Sequence, residues 1–218
     1  MVVTRTGPAV DYLGRDGTRR VFGNAVLSRL PVLQVLPWLL PRPPDPGGKS
    51  MQRLALEVVV QDTAGPVRVT TTHVEYYSAE HQAAQVGALR AIHHEAAQRA
   101  LHPPKPIDQE DTYRTMPRPA AAIVTGDFNF EPSNPCYAAM LAAFSDGTPA
   151  FRDAWTVAHP GQAHAPTCGI GDRDQWQQGP HCRDFIFVSE DLASRVRDVR
   201  VDVETTASDH QPVHLKLG

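Results

Sequence analysis

The chain has 218 residues, with 24 acidic and 21 basic side chains and a formal net charge of -3. That length suits one sizeable domain with its own core, and the mild acidity excludes the overall positive field with which many proteins meet nucleic acid. Three cysteines, Cys136, Cys168 and Cys182, are too few and odd in number for a disulfide framework, which fits a reducing compartment.

Residues 1–20 are rich in Gly, Arg, Asp and Thr without a usable period, so an irregular segment is expected there. They contain no basic stretch followed by an apolar core, so no signal peptide is read in them. Val21 to Ser28 alternates as a strand should, with Gly23 marking the close approach of another backbone. Leu30 to Ser50 carries six prolines and the pair Gly47-Gly48. It is expected to be a long surface loop whose Trp38, Leu39 and Leu40 pack back on the body, with an exposed patch for a lipid surface as the alternative. Pro31, Pro37 and Pro41 leave its apolar part too short and too interrupted to span a bilayer. A cytoplasmic monomer is the expectation.

Leu54 to Gln61 and Val67 to Thr72 read as strands joined by the hairpin punctuation of Asp62-Thr63-Ala64-Gly65-Pro66, the second emerging at His73. Ser78 is placed to cap a helix running to about Leu101, with Val86, Leu89, Ile92 or His93, and Ala96 on one face. His93 and His94 are read as surface or boundary residues. Residues 102–119, with five prolines and Asp108, Glu110, Asp111, Tyr113 and Arg114, form a long loop.

That loop leads into AAAIVTGDFNFEP, residues 120–132. An apolar run with Ile123 and Val124 ends abruptly in Gly126-Asp127-Phe128-Asn129, which reads as a buried strand delivering a carboxylate and a carboxamide at its C-terminal end. In an ordinary turn Asp and Asn would be there to bend the chain. Pro135 to Phe144 is expected as a short helix burying Tyr137, Met140, Leu141 and Phe144, followed by an irregular stretch from Ser145 to Pro180. Asp184 to Ser189 is a strand opening on a carboxylate, Val196 to Glu204 a half-exposed strand, and Ser208-Asp209-His210 leads into a last strand, Pro212 to Leu217.

Four polar stations therefore sit at predicted strand ends: His73, Asp127 with Asn129, Asp184, and Asp209 with His210. An acid beside a histidine orients the ring and stabilises its charged form, so the imidazole can handle a proton near neutral pH. Asp127, Asn129 and Asp209 are hard oxygen donors of the kind that magnesium or manganese takes while it holds phosphate oxygens. Each station alone also fits an ordinary turn or strand; together they suit phosphoester hydrolysis. Zinc on Cys168, His181 and Cys182 is a weaker alternative, because no fourth ligand is evident.

The ordered set TTHV, GDFN, RDFIFVS and SDHQPV resembles the endonuclease/exonuclease/phosphatase superfamily, whose members include pancreatic-type deoxyribonucleases, abasic-site endonucleases, neutral sphingomyelinases and inositol polyphosphate 5-phosphatases. The likeness runs from Phe22, in FGNAVLSRLPV, to the C-terminus. It implies an α+β fold, a four-layer α/β/β/α sandwich of two face-to-face β-sheets flanked by helices, and a Mg2+ or Mn2+ cofactor. By the same resemblance His73 and Asn129 bind the phosphate, with Asn129 also near a second metal position. Asp127 orients or deprotonates the water, Asp184 buttresses the histidine, Asp209 is a metal-side carboxylate and His210 is the catalytic histidine. Whether Asp127 or His210 is the base stays open.

The resemblance fails at one point. Family members begin with a strand carrying an asparagine and a second strand ending in a metal-binding glutamate, whereas here the first asparagine is Asn24 and the first glutamate Glu57. An N-terminally incomplete chain is expected, with a metal-less relic or phosphate-binding module as the alternative. The substrate class, whether nucleic acid, phospholipid headgroup or small phosphoester, stays open as well.

Overall fold

A computed structural model describes residues 2–107, 111–172 and 174–218. Asp108 and Glu110, two of the acids read into the long loop, lie outside the described residues. The centre is a six-stranded mixed sheet in the order β3-β4-β5-β6-β8-β7, comprising β3 (Val32–Leu39), β4 (Leu54–Asp62), β5 (Gly65–His73), β6 (Ala122–Asp127), β7 (Phe151–Asp153) and β8 (Asp184–Ser189). Two separate two-stranded sheets accompany it: β1 (Val3–Leu13) with β2 (Arg19–Ser28), and β9 (Val196–Val201) with β10 (Val213–Leu217). This is the mixed α+β architecture that the resemblance implied.

Strands β5 and β6 are parallel neighbours, and a parallel pair needs a long crossover. Helix α1 (Ala79–Leu101) supplies it. The Ser78 side chain accepts the backbone N–H of His81 at its start, as an N-cap should. On one face of the sheet, Val86 and Leu89 of α1 and Met140 of α2 (Pro135–Leu141) bury with Phe128, Phe130, Phe185 and Phe187. The Phe128 and Phe187 rings meet edge to face, 5.0 Å apart at 89°, a favoured aromatic geometry. Each fully buried Phe or Leu contributes about 1.5–3 kcal/mol, so this layer is where the sheet is anchored. On the other face Val58, Val60, Val67, Ile186 and Val188 pack with Val26 of β2 and with Val213 and Leu215 of β10. The short helix α3 (Ala154–Ala158) lies beside β8 and β9.

Besides the stretch Ser145–Pro180, which is not wholly irregular but holds β7 and α3, four sequence expectations need correction. Residues 3–13 are a strand, because β1 pairs in register with β2 across the tight turn at Gly14–Thr18. Its largely exposed polar side chains carried no apolar period to read. Within Leu30–Ser50, residues 32–39 form β3, an edge strand whose Pro37 stands opposite Leu56. Proline is tolerated on an edge, where a missing N–H breaks no ladder. Trp38 and Leu40 do pack on the core, while Leu39 is exposed. The third correction concerns His93, which is buried at 1% exposure; His94 stays at the boundary. Finally, α2 stops at Leu141, short of Phe144. Gly23 fulfils its reading, since a Cβ there would lie 1.9 Å from the Gly7 carbonyl oxygen. Among the described residues no helix is long and apolar enough to cross a membrane.

Candidate active site

The register of the central sheet builds the site. His73 stands opposite Asp127 across β5 and β6, and Asp127 opposite Asp184 across β6 and β8. Directly paired residues share a face, so two carboxylates and an imidazole converge at one end of the central strands. Gly126 permits this approach: its φ is 145°, and a Cβ on it would sit 1.9 Å from the Thr72 carbonyl oxygen. Beyond the strand, Phe128 and Phe130 are buried at 0% and 2% exposure and pin the chain, leaving Asp127 and Asn129 to line the pocket between them.

Asn129 is the one described non-glycine residue with positive φ, 54°. Its backbone N–H donates to Asp127 Oδ1 at 2.8 Å and its side-chain amide donates to the Val74 carbonyl at 2.9 Å. Asn tolerates this left-handed conformation because such local bonds compensate it. Its Oδ1 has no hydrogen-bond partner among the described residues and remains available to a ligand.

His210 arrives from the other side, on the loop before β10. Gln211 N–H donates to the Thr167 carbonyl at 2.7 Å, and His210 bridges to Cys168. His210 Nδ1 lies 2.8 Å from Asp184 Oδ2, which also accepts from the Thr167 hydroxyl at 2.6 Å. Its Nε2 is 3.8 Å from Asp127 Oδ2 and 3.9 Å from Asp209 Oδ2. The hydrogen bond to Asp184 raises the His210 pKa to about 9 against the opposing cost of burial. Burial, then the neighbouring Asp184, lifts Asp127 to about 6. His73, whose Nε2 is 3.4 Å from Asp127 Oδ2, is lowered to about 4 by burial and by the positive charge of Arg53. At neutral pH the site therefore presents an imidazolium at 210, a neutral imidazole at 73 and an ionised Asp127.

A pocket of about 700 Å³ opens on these groups. All six residues singled out in the sequence line it: His73, Asp127, Asn129, Asp184, Asp209 and His210. Potential ligand atoms of Asp127, Asp184 and His210 lie within 4.8 Å of one another. Asp209 Oδ2 accepts from Gln175 at 3.1 Å. The oxygen donors in the pocket suit a hard divalent cation: the carboxylates of Asp127 and Asp209, the first with a raised pKa, and the free carboxamide oxygen of Asn129. Cys168 Sγ sits 3.2 Å from His181 Nε2 while Cys182 Sγ points at the Asp184 carbonyl. Among the described residues these three make no metal-ligand group.

Sequence reasoning missed Arg53, Thr167, Tyr76 and Trp176. Arg183 lies over the rings of Tyr76 and Trp176, 5.3 and 5.1 Å from their centroids, where the two rings meet edge to face, and it donates to the Asn129 carbonyl at 2.9 Å. Thr167 and Trp176 sit in the stretch without periodicity, where only tertiary contacts give them meaning. Arg53 precedes β4 with no motif around it, and a lone arginine before a strand signals nothing.

The chain matches the model of the Endonuclease/Exonuclease/phosphatase family over residues 4–210, and it belongs to that family. The enzymes for which that family is named break phosphoester bonds. Similar folds include a family member from Bacteroides vulgatus, with 18% identity and a TM-score of 0.65 over 100% of this chain and 76% of that one. The mannosyl-6-phosphatase of Bacteroides thetaiotaomicron shares 17% identity at a TM-score of 0.61, covering 100% and 77%. A 3' phosphatase from Neisseria, bound to product DNA hairpin, shares 20% identity at 0.59, covering 100% and 79%. The chain thus spans about three quarters of the length of these structures. No curated protein matches it significantly.

Proposed function

We propose that this chain is a divalent-metal-dependent phosphoesterase whose reacting centre is the row His73, Asp127 and Asp184 completed by His210. The observation that carries this reading is the convergence of that row with the Asp184–His210 pair at 2.8 Å. His210, held protonated by Asp184, has no free site to accept a proton, so it serves to stabilise charge on phosphoryl oxygen or to protonate a leaving group. Asp127 is ionised above about pH 6, which makes it the group that orients the water and takes its proton. His73, as a neutral ring, binds a phosphoryl oxygen through its ring N–H, while Asn129, whose side-chain N–H donates to Val74, offers its free Oδ1 to the ion.

Asp127, Asn129 and Asp209 would hold the ion, magnesium or manganese by the hardness of their oxygens. When bound, it supplies Lewis-acid stabilisation of charge on the phosphoryl group. The similar folds include a mannosyl-6-phosphatase, a 3' phosphatase bound to product DNA hairpin and a 3'-5' exonuclease, so phosphomonoesters and phosphodiesters, of small molecules, nucleic acid or lipid headgroups, are all candidate substrates.

One observation supports a second reading, a metal-less phosphate-binding module. The first glutamate of the sequence, Glu57, is buried against Arg68 and Arg118 and does not line the pocket. Hydrolysis of p-nitrophenyl phosphate and bis(p-nitrophenyl) phosphate, with magnesium or manganese and then with chelator, separates the two. The enzyme reading expects turnover that chelator abolishes, metal restores and Asp209→Ala removes. A folded chain that turns over neither ester with either ion would support the module instead.

A further inference from the structure

Two exposed tyrosines stand at the mouth of the pocket, and the fold does not use their rings for its core. Tyr76 is 42% exposed and Tyr77 55%, and both line the cavity together with Trp176. They lie just beyond His73, in the turn between β5 and α1. Tyr137 shows what a structural tyrosine looks like here: its ring packs 5.3 Å from that of Phe185, and its hydroxyl donates to Asp153 at 2.8 Å. The Tyr76 hydroxyl has no partner among the described residues. That of Tyr77 accepts only from Lys49, at 3.2 Å, whose Nζ also stands 4.8 Å from the ring centroid.

What the fold does fix is where the two rings stand. The fully buried Glu75 carboxylate accepts the backbone N–H groups of both tyrosines, at 2.9 and 3.1 Å. Glu75 is itself tied to α1, its N–H donating to Gln85 and its carbonyl accepting from Gln82, both at 2.9 Å. Tyr76 meets Tyr77 edge to face at 4.9 Å and Trp176 at 6.4 Å, and Trp176 meets His210 at 5.8 Å. A continuous aromatic wall therefore runs from the reacting imidazole outwards, through a buried Trp176 to the exposed tyrosines. Rings held in place before a ligand arrives bind it at a lower ordering cost.

We propose that Tyr76 and Tyr77 are specificity-determining residues that hold the alcohol portion of the ester, and that this portion carries a ring with a flat apolar face, as a nucleoside or a sugar does. The proposal rests on the phosphoesterase reading for where the phosphoryl group sits. With that group at His210, the alcohol bonded to it leaves the reacting centre beside Trp176 and runs out along the wall to the tyrosines. Nucleobases stack on aromatic side chains whatever their identity, and a sugar ring buries its C–H face against the same surface. An open-chain alcohol offers the tyrosines no such face.

The test is isothermal titration of the full chain, in the presence of chelator, with adenosine 5'-monophosphate, glucose 6-phosphate and glycerol 2-phosphate. The first ester presents a base and a sugar, the second a sugar alone and the third no ring. The wild type is expected to bind at least one ring ester about tenfold more tightly than glycerol 2-phosphate, and the tighter of the two identifies the ring. Tyr76→Ala/Tyr77→Ala is expected to bring that ratio to within about twofold of unity. Tyr76→Phe/Tyr77→Phe keeps both rings and retains the ratio; its loss there would move the preference to the hydroxyls and overturn the proposal. A merely structural role weakens all three ligands in proportion, so an unchanged ratio in the alanine variant overturns the proposal, as does a wild type that binds the three esters equally or binds none. Should the double alanine variant lose its cooperative thermal transition, Tyr77→Ala alone, at the more exposed position, is expected to lower the ratio by about threefold, and no change overturns the proposal equally. Hydrolysis of the same esters is followed separately with metal. A tyrosine-dependent ring preference in a chain that hydrolyses none of them would contradict the catalytic reading and leave the ring site standing, whereas hydrolysis without ring preference does the reverse.

Discussion

Strand β5 has a buried charge cluster at each end, and the two are built on opposite principles. At its start, Arg68 is 1% exposed and Glu57 0%, bonded at 2.8 Å. Arg118 joins Glu57 and reaches Glu95 at 3.1 Å, and His93 completes the set, with Nδ1 2.6 Å from Arg68 Nη2 and Nε2 2.8 Å from the Pro149 carbonyl. Because Arg68 must donate, His93 Nδ1 accepts and Nε2 carries the proton. At the other end, His73, Asp127, Asp184 and His210 face a cavity and Asp127 carries a raised pKa. Buried polar groups with complete partners hold a fold together, whereas those left incomplete and solvent-accessible are where a ligand finds its partners. One strand thus separates support from chemistry by the five positions from Arg68 to His73.

The sharpest way to break this contrast is Arg68→Met. Removing one partner of a buried pair strands the other, and a loss of about 3–5 kcal/mol in denaturant unfolding is expected, with phosphoester turnover per folded molecule unchanged. A loss below about 1 kcal/mol would equate the two ends.

Next in size is a pH effect at the same end. Burial, then the charge of Arg68, lowers the His93 pKa to about 4, against 6.5 in the unfolded chain. Above pH 6.5 both states are neutral and His93 costs nothing. As pH falls from 6.5 towards 4 the unfolded chain takes up a proton that the folded one refuses, so stability declines by about 2–3 kcal/mol. Urea titrations across that window should show the decline in the wild type and a flatter profile in His93→Gln; parallel profiles would contradict the neutral, buried ring. The smallest effect concerns the crossover that links the two ends: Ser78→Ala removes the cap of α1 and is expected to cost about 1 kcal/mol, with no change in phosphate affinity.

The active end was more legible in the sequence than the supporting end. His73, Asp127, Asn129, Asp184, Asp209 and His210 sit at strand ends flanked by β-forming runs, so periodicity and punctuation located them, and the structure brings all six to one pocket. His93 gave the wrong impression because a histidine on a helix face looks amphipathic until a buried arginine is known to meet it. Strands β1 and β3 were hidden for a shared reason. Both lie at or near edges, where solvent relaxes the alternation, and β3 carries a proline that suits only an edge. Arg53 and Thr167 act through distant partners and leave no local pattern.

The central claim, that the His73–Asp127–Asp184–His210 end is where phosphoester bonds are broken, is tested most directly by His210→Ala. The measurement is metal-dependent hydrolysis of p-nitrophenyl phosphate alongside the thermal midpoint of the same preparation. Loss of an acid or charge-stabilising group at the reacting centre is expected to lower the rate by about 10²–10⁴-fold while the midpoint stays close to that of the wild type. A variant that folds normally and hydrolyses the ester at the wild-type rate would contradict the assignment.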